Sequence, residues 1–270
     1  MKHIAATVAV ILAMTSPVLA APFELNFMPG SALEFIQNGP ATDPDGHGNK
    51  DVDRLIVNVG PGAPSTTTAT TSAWSAKDDS SSAKWSASQL YGWNGGLGIC
   101  NQGEGLIIPS PYNDSCSSSS SNVEHPGDNS GRKDFYLIEF SKPVVITSAM
   151  LTVWDPTNYY DYDLSYWQGT GPAPDFASNT GYGFLGTEQT FFQNAKNSSG
   201  SLHTANLSGI PGGGGADWLV IGTKYDHSND AIKLKKLSFA TVPVPPVAIL
   251  FGTGLAGLIG LARRKGLLNK

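Results

Sequence analysis

The sequence is poor in charge, in cysteine and in helix-period patterning, and each shortage excludes something. Only 14% of the 270 residues are charged and the formal net charge is −5. The chain therefore lacks the basic stripe that neutralises phosphates, which argues against a nucleic-acid partner. Two cysteines, Cys100 and Cys116, are too few for a disulfide-dense miniature scaffold, and without paired histidines beside them they make a poor zinc site. There is no Gly-x-Ser-x-Gly elbow and no His-Glu-x-x-His pair, and the run Gly212 to Gly215 lacks the Lys-Ser/Thr of a phosphate loop. A dispersed Ser-His-Asp arrangement drawing on His47, His125, His203 or His227 stays open as a hydrolytic alternative, because triads assemble by geometry and not by spacing. No long stretch between residues 21 and 242 repeats its apolar positions every 3.6 residues, and no unit of 20–50 residues recurs. That removes helical bundles and solenoids.

Short β-forming runs are what the chain does contain, punctuated by 31 glycines and 18 prolines. They are Leu55–Val59, Thr70–Ala76, Ala83–Tyr91, Phe135–Phe140, Val144–Trp154, Trp218–Gly222 and Ala231–Ala240. In the fifth, Val145, Thr147, Ala149, Leu151 and Val153 share one face by the two-residue period, which predicts a central strand. In the last, Ile232 and Leu234 are out of phase with Leu237 and Phe239, so a bulge is expected at Lys235-Lys236. The expected fold is all-β: a single β-sandwich or jelly-roll-like domain over residues 21–242. Pro61–Thr71, Asp78–Ser82 and the serine run from Ser115 to Asn122 read as loops.

Both ends of the chain read as export signals. Met1-Lys2-His3 is a short basic start, Ile4 to Met14 an apolar stretch and Val18-Leu19-Ala20 a small-residue cleavage site, so residues 1–20 are expected to be a signal peptide. Residues 243–270 begin with Pro243, Val244, Pro245 and Pro246, continue with an uncharged span from Val247 to Ala262, and reach the basic cluster Arg263, Arg264 and Lys265. Sixteen helical residues rise roughly 24 Å, just enough to span with little tilt and snorkelling arginines. The basic cluster belongs on the cytoplasmic side, which places residues 21–242 across the inner membrane. None of the 22 acidic residues lies in either terminal segment, and 12 of the 17 basic ones remain between them, so the exported part has a net charge near −10. Its two cysteines enter an oxidising compartment, where a Cys100–Cys116 disulfide is expected.

The order Val242-Pro243-Val244-Pro245, Phe251-Gly252-Thr253-Gly254-Leu255, Ala262-Arg263-Arg264-Lys265 resembles the PEP-CTERM sorting tail, in its VPLP or VPVP variant. Val244 stands where the class name has Glu. The resemblance implies an exosortase as processing partner, a transient single-pass membrane state, and a final place at the cell surface or in the extracellular (biofilm) matrix. A second series, Gly95 to Asn101, Glu124 to Asn129 and Gly131 to Phe140, looks like a recurrent ectodomain of exosortase-dependent surface proteins. It carries no reaction with it, so the expected role is non-catalytic.

Three groups are candidate sites. Glu124, Asp128, Asn129 and Asp134 gather oxygen donors ahead of a strand and suit Ca²⁺ as the one cofactor considered, against an Asx turn bonding its own backbone. Asp43 to Asp51 falls near an EF-hand pattern, but Arg54 occupies the seat of the bidentate Glu. Trp154, Tyr160, Tyr162 and Trp167, interleaved with Asp and Asn, are candidate contacts for an extracellular polysaccharide, whose C–H faces stack on flat rings.

Overall fold

A 21-residue strand that changes partners halfway along organises the domain. The computed structural model describes residues 23–27, 33–36, 51–52, 54–58, 67–93, 95–100, 127–129, 131–153, 162–192, 202–207, 215–226 and 230–241, all within the unit Ala21–Val242. In chain order the strands are β1 (Phe23–Asn26), β2 (Leu33–Ile36), β3 (Asp51–Val52), β4 (Arg54–Asn58), β5 (Thr68–Ala76), β6 (Trp85–Trp93), β7 (Gly96–Cys100), β8 (Gly127–Asp128), β9 (Lys133–Val153), β10 (Leu164–Gly169), β11 (Gln189–Phe191), β12 (Leu202–Asn206), β13 (Ala216–Thr223) and β14 (Ala231–Thr241). Among the described residues the only helical element is one 3₁₀ turn, Gly183–Leu185. The described protein is all-β.

The first half of β9 lies between β5 and β13, with Phe140 opposite Ala69 and Trp218 opposite Glu139. The second half lies between β12 and β14, with Ala205 opposite Ala149 and Leu237 opposite Ala149 from the other side. The sequence reads as two strands here, Phe135–Phe140 and Val144–Trp154, yet the chain stays extended through Ser141-Lys142-Pro143. Proline is tolerated because it falls where the strand drops one partner and takes the next, so no ladder acceptor waits for its missing N–H. The Ser141 hydroxyl accepts a 2.8 Å bond from the Thr68 N–H, and all three residues are exposed. The ladder β5–β6–β7–β14–β9–β5 returns to its start, a barrel-like closure. The bulge falls at Lys235, where the β14 register with β9 steps from Leu234 to Lys236.

Burial follows the two-residue period in β9. Tyr136, Ile138 and Phe140 enter a central core with Leu97, Leu151, Leu219, Leu234 and Phe239. Phe135 and Leu137, on the opposite face, join Trp85, Trp167, Phe176, Tyr182 and Trp218 in a second core. The sheet of β10, β13 and the first half of β9 is therefore buried on both faces, the second covered by the 170–188 segment. Close approach demands glycine at two points. A Cβ on Gly96, at φ +132°, would lie 2.8 Å from the Leu234 carbonyl oxygen, and one on Gly222 would lie 2.3 Å from that of Asp134.

Candidate functional site

Polar groups concentrate at one end of the double-covered sheet, where β13 ends, β9 begins and β14 begins. Asn129 is buried there and fully engaged. Its Nδ2 donates to the Lys224 carbonyl at 2.8 Å and to Asp230 Oδ2 at 3.0 Å, and its Oδ1 accepts from the Asp230 N–H at 3.0 Å. Asp230 Oδ1 in turn accepts from the Asp163 N–H at 3.3 Å, and the Lys224 N–H donates to the Asp163 carbonyl at 2.8 Å. The Lys133 ammonium donates to the Asn129 carbonyl. One amide thus ties together the segments around residues 129, 163, 224 and 230, and the orientation of its two ends is fixed by two acceptors on one side and a donor on the other.

Beside it sits a carboxylate hub. Glu188 accepts from Ser165 Oγ at 2.5 Å and from the Tyr225 hydroxyl at 3.3 Å, and lies 3.9 Å from Lys224 Nζ, which also pairs with Asp226. The lysine ammonium is 5.6 Å from the Tyr225 ring and 5.8 Å from that of Phe192, which is 52% exposed. Tyr225 stacks on Tyr182 with centroids 4.1 Å apart. Burial, then the Glu188 charge, raises the Tyr225 phenol above its usual pKa, and burial raises Tyr182 further still.

The candidate residues from the sequence scatter. Of the calcium set, Asn129 serves the bridge just described, whereas Asp134 is buried elsewhere, accepting from Ser75 Oγ, whose hydroxyl bonds that of Ser88 at 2.5 Å. These two oxygen donors do not converge, because Asn129 precedes the strand and Asp134 faces β5 within it. Glu124 lies outside the described residues, and of Asp128 only the backbone is described. Among the described residues no group of three or more His, Cys, Asp or Glu is arranged around a metal position. The acidic run 43–51 is described only at Asp51, by its backbone.

Two of the aromatic candidates need correction. Tyr162 is 2% exposed and Trp167 1%, so neither presents a face to a glycan. Tyr162 packs between Phe191 and His203, and Trp167 lies edge-on to Phe135 and stacked with Tyr182. Aromatic density along a chain does not report burial, and β10, which carries Trp167, is buried on both faces. Trp154 and Tyr160 lie outside the described residues. His203 is the one histidine among the described residues; burial lowers its pKa. Cys100 is buried and disulfide-bonded, and the chain's other cysteine, Cys116, lies outside the described residues. The sorting residues Pro243, Val244, Pro245, Arg263, Arg264 and Lys265 also lie outside them.

Sequence reasoning missed Asp230, Asp163, Lys224 and Glu188 as partners. Asn129 and Asp230 are 101 positions apart, and no local spacing encodes such a pair. At the opposite end of β13 a shallow depression of about 390 Å³ is lined by Glu139, Phe140, Gly171, Pro172, Ala173 and Asp217, with Asp217 accepting from the Gly171 N–H at 2.7 Å. Compared with models of known protein families and with curated proteins, the chain matches none.

Proposed function

We propose that the chain is an exported, exosortase-processed protein of the cell surface or extracellular matrix, with a β domain that works by display or binding and not by catalysis. The observation that carries this reading is the pair of terminal segments: an apolar leader ending in Val18-Leu19-Ala20, and a Pro-rich, apolar, basic tail from Pro243 to Lys265. The disulfide at Cys100 supports an oxidising destination. The non-catalytic part is supported by the way Lys224, Glu188, Ser165 and Asn129 are bonded to one another. Such reciprocal bonding suits a rigid scaffold better than a site that must meet a substrate.

The finer fold in this reading is a jelly-roll-like β-sandwich, its two layers linked by β9. In favour of it, the Tyr136 hydroxyl reaches from the first half of β9 to the Leu97 carbonyl on β7 at 2.7 Å, and residues from both halves of β9 share one core. For an extracellular polysaccharide ligand, the candidate set narrows to Trp154 and Tyr160. Intact-mass and terminal-peptide mass spectrometry of the surface or secreted form tests the main reading. A mature chain beginning at Ala21 and lacking the segment through Lys270 is expected. Mature surface protein that retains Lys270 would refute processing.

A further inference from the structure

The geometry points to the depression at the start of β13 as a binding site for a sugar unit that carries a free amino group, a hexosamine. This adds a ligand class and a place to the binding role proposed above, and it stands on β9, β10, β13 and the turn after β10 alone.

The depression is a product of strand register. Trp218 lies opposite Glu139 on one side and opposite Gly169 on the other, so these three positions share a sheet face. One step on, the ladder opens. Between the pairs Trp218–Glu139 and Ala216–Val144, four residues of β9 pass a single residue of β13, Asp217. Such an irregularity bends the strand and re-aims the side chain it carries. The Trp218 ring leans towards β10, where a Cβ on Gly169 would lie 2.3 Å from Cζ2 and 2.7 Å from Cε2. Gly171, at φ +80°, then turns the chain, and its N–H donates to Asp217 Oδ2 at 2.7 Å. The space left between β9 and this turn is about 390 Å³, within the range of small-ligand sites.

The polar side chains lining that space are both carboxylates, Glu139 and Asp217, which when ionised only accept hydrogen bonds. Asp217 accepts from Gly171, whereas Glu139, half-buried, makes no hydrogen bond or ion pair within the described residues. This is the reverse of the Glu188 cluster, where each charge is answered by another. An ammonium group brings three donors and a positive charge, and so answers both carboxylates. A second unmet group indicates what bears the ammonium. Trp218 is 8% exposed and its indole N–H has no partner. The N–H is bonded to Cε2, the atom that lies over Gly169, two residues before the Gly171 turn. A buried donor left unmade is uncommon, and it calls for an acceptor. A lysyl or arginyl side chain has none, whereas the hydroxyls and ring oxygen of a sugar supply several. Phe140, Pro172 and Ala173 give the C–H face of the sugar ring an apolar wall. The rim does not suit a protein partner, since the large hydrophobic side chains exposed among the described residues, Phe192 and Leu202, do not line it.

The test is calorimetric titration of the full chain, disulfide closed and in non-ionic detergent, with a glucosamine tetramer, its fully N-acetylated counterpart and tetralysine, at one pH and ionic strength. Saturable binding of the glucosamine tetramer is expected, tighter than either of the others by about tenfold or more. Glu139→Gln keeps the size and removes the charge without breaking a bond within the described residues. It should weaken binding by about tenfold or more and leave the melting temperature unchanged. Trp218→Phe keeps a ring over Gly169 without the N–H and should weaken binding by about threefold or more; if it loosens the core, Glu139→Gln alone decides the site. No saturable binding of the glucosamine tetramer, or undiminished binding by Glu139→Gln, overturns the site. Tetralysine or the N-acetylated tetramer binding as tightly as the glucosamine tetramer overturns the amino sugar as ligand. Export and processing are read from the terminal peptides and stand or fall separately from each of these results.

Discussion

Replacing Asn129 with alanine probes whether one buried amide holds the far end of the domain together. Three side-chain bonds are lost, at 2.8, 3.0 and 3.0 Å, one of them to the Asp230 carboxylate. A neutral bond contributes about 1 kcal/mol net and one to a charged group about 1.5–3 kcal/mol. The Lys224 carbonyl and Asp230 N–H would also be left without that partner in a buried setting, so the expected loss is about 4 kcal/mol. At ~2–4 °C per kcal/mol for a domain of this size, the melting temperature should fall by roughly 8–16 °C. Calorimetry under oxidising conditions measures it. The companion variant, Asn129→Asp, keeps size and the acceptor Oδ1 but replaces the donor with a second carboxylate oxygen beside Asp230. Two adjacent carboxylates raise one folded-state pKa above its unfolded value. Stability held by the shared proton is then present in acid and lost as pH rises through that folded pKa, so the deficit relative to wild type should shrink below about pH 5 and widen above it. A loss under about 1 kcal/mol for Asn129→Ala, or a pH-independent deficit for Asn129→Asp, would refute the idea that this amide is a structural bridge.

Other outcomes follow from the same packing. Trp167→Ala should cost about 3–5 kcal/mol in denaturant unfolding, as expected of a core ring; a near-neutral result would return Trp167 to the surface. Gly222→Ala should destabilise by about 1–3 kcal/mol or more because its Cβ has no room beside the Asp134 carbonyl, and wild-type stability would show that β9 and β13 are not so close. Tyr182 and Tyr225 have folded-state pKa values raised by burial. Their contribution is therefore complete below about pH 10 and lost as pH rises through the raised folded-state values, so tyrosinate absorbance from Tyr182 and Tyr225 in native protein should appear above the ordinary tyrosine range; ionisation of Tyr182 at the ordinary pKa in native protein would contradict its burial. Calcium at matched ionic strength should shift the melting temperature of wild type and Asp128→Ala equally, since Asn129 is spent on the bridge and Asp134 faces Ser75. A shift confined to wild type would restore an ion to the 124–134 segment.

The sequence by itself determined the strand content and much of the strand placement, because alternation is a local property. The expected runs Leu55–Val59, Thr70–Ala76 and Ala231–Ala240 correspond to β4, β5 and β14 within two residues at each end. The phase slip between Leu234 and Leu237 located the bulge at Lys235. The readings of the terminal segments also rest on linear features, apolar length and flanking charge, and those segments lie outside the described residues. The sequence could not show that Phe135–Phe140 and Val144–Trp154 are one strand serving two sets of partners, because Pro143 looks like a break until the change of partner makes its missing N–H harmless. Nor could it separate buried from exposed aromatics. Trp167 became a core residue only once the 170–188 segment covered its face of β10, and Tyr162 only once Phe191 and His203 packed against it. The Asn129–Asp230 bridge and the Glu188 hub belong wholly to the tertiary structure: their members lie tens to a hundred positions apart, and only the closing of β9 against both β13 and β14 brings them within hydrogen-bonding distance.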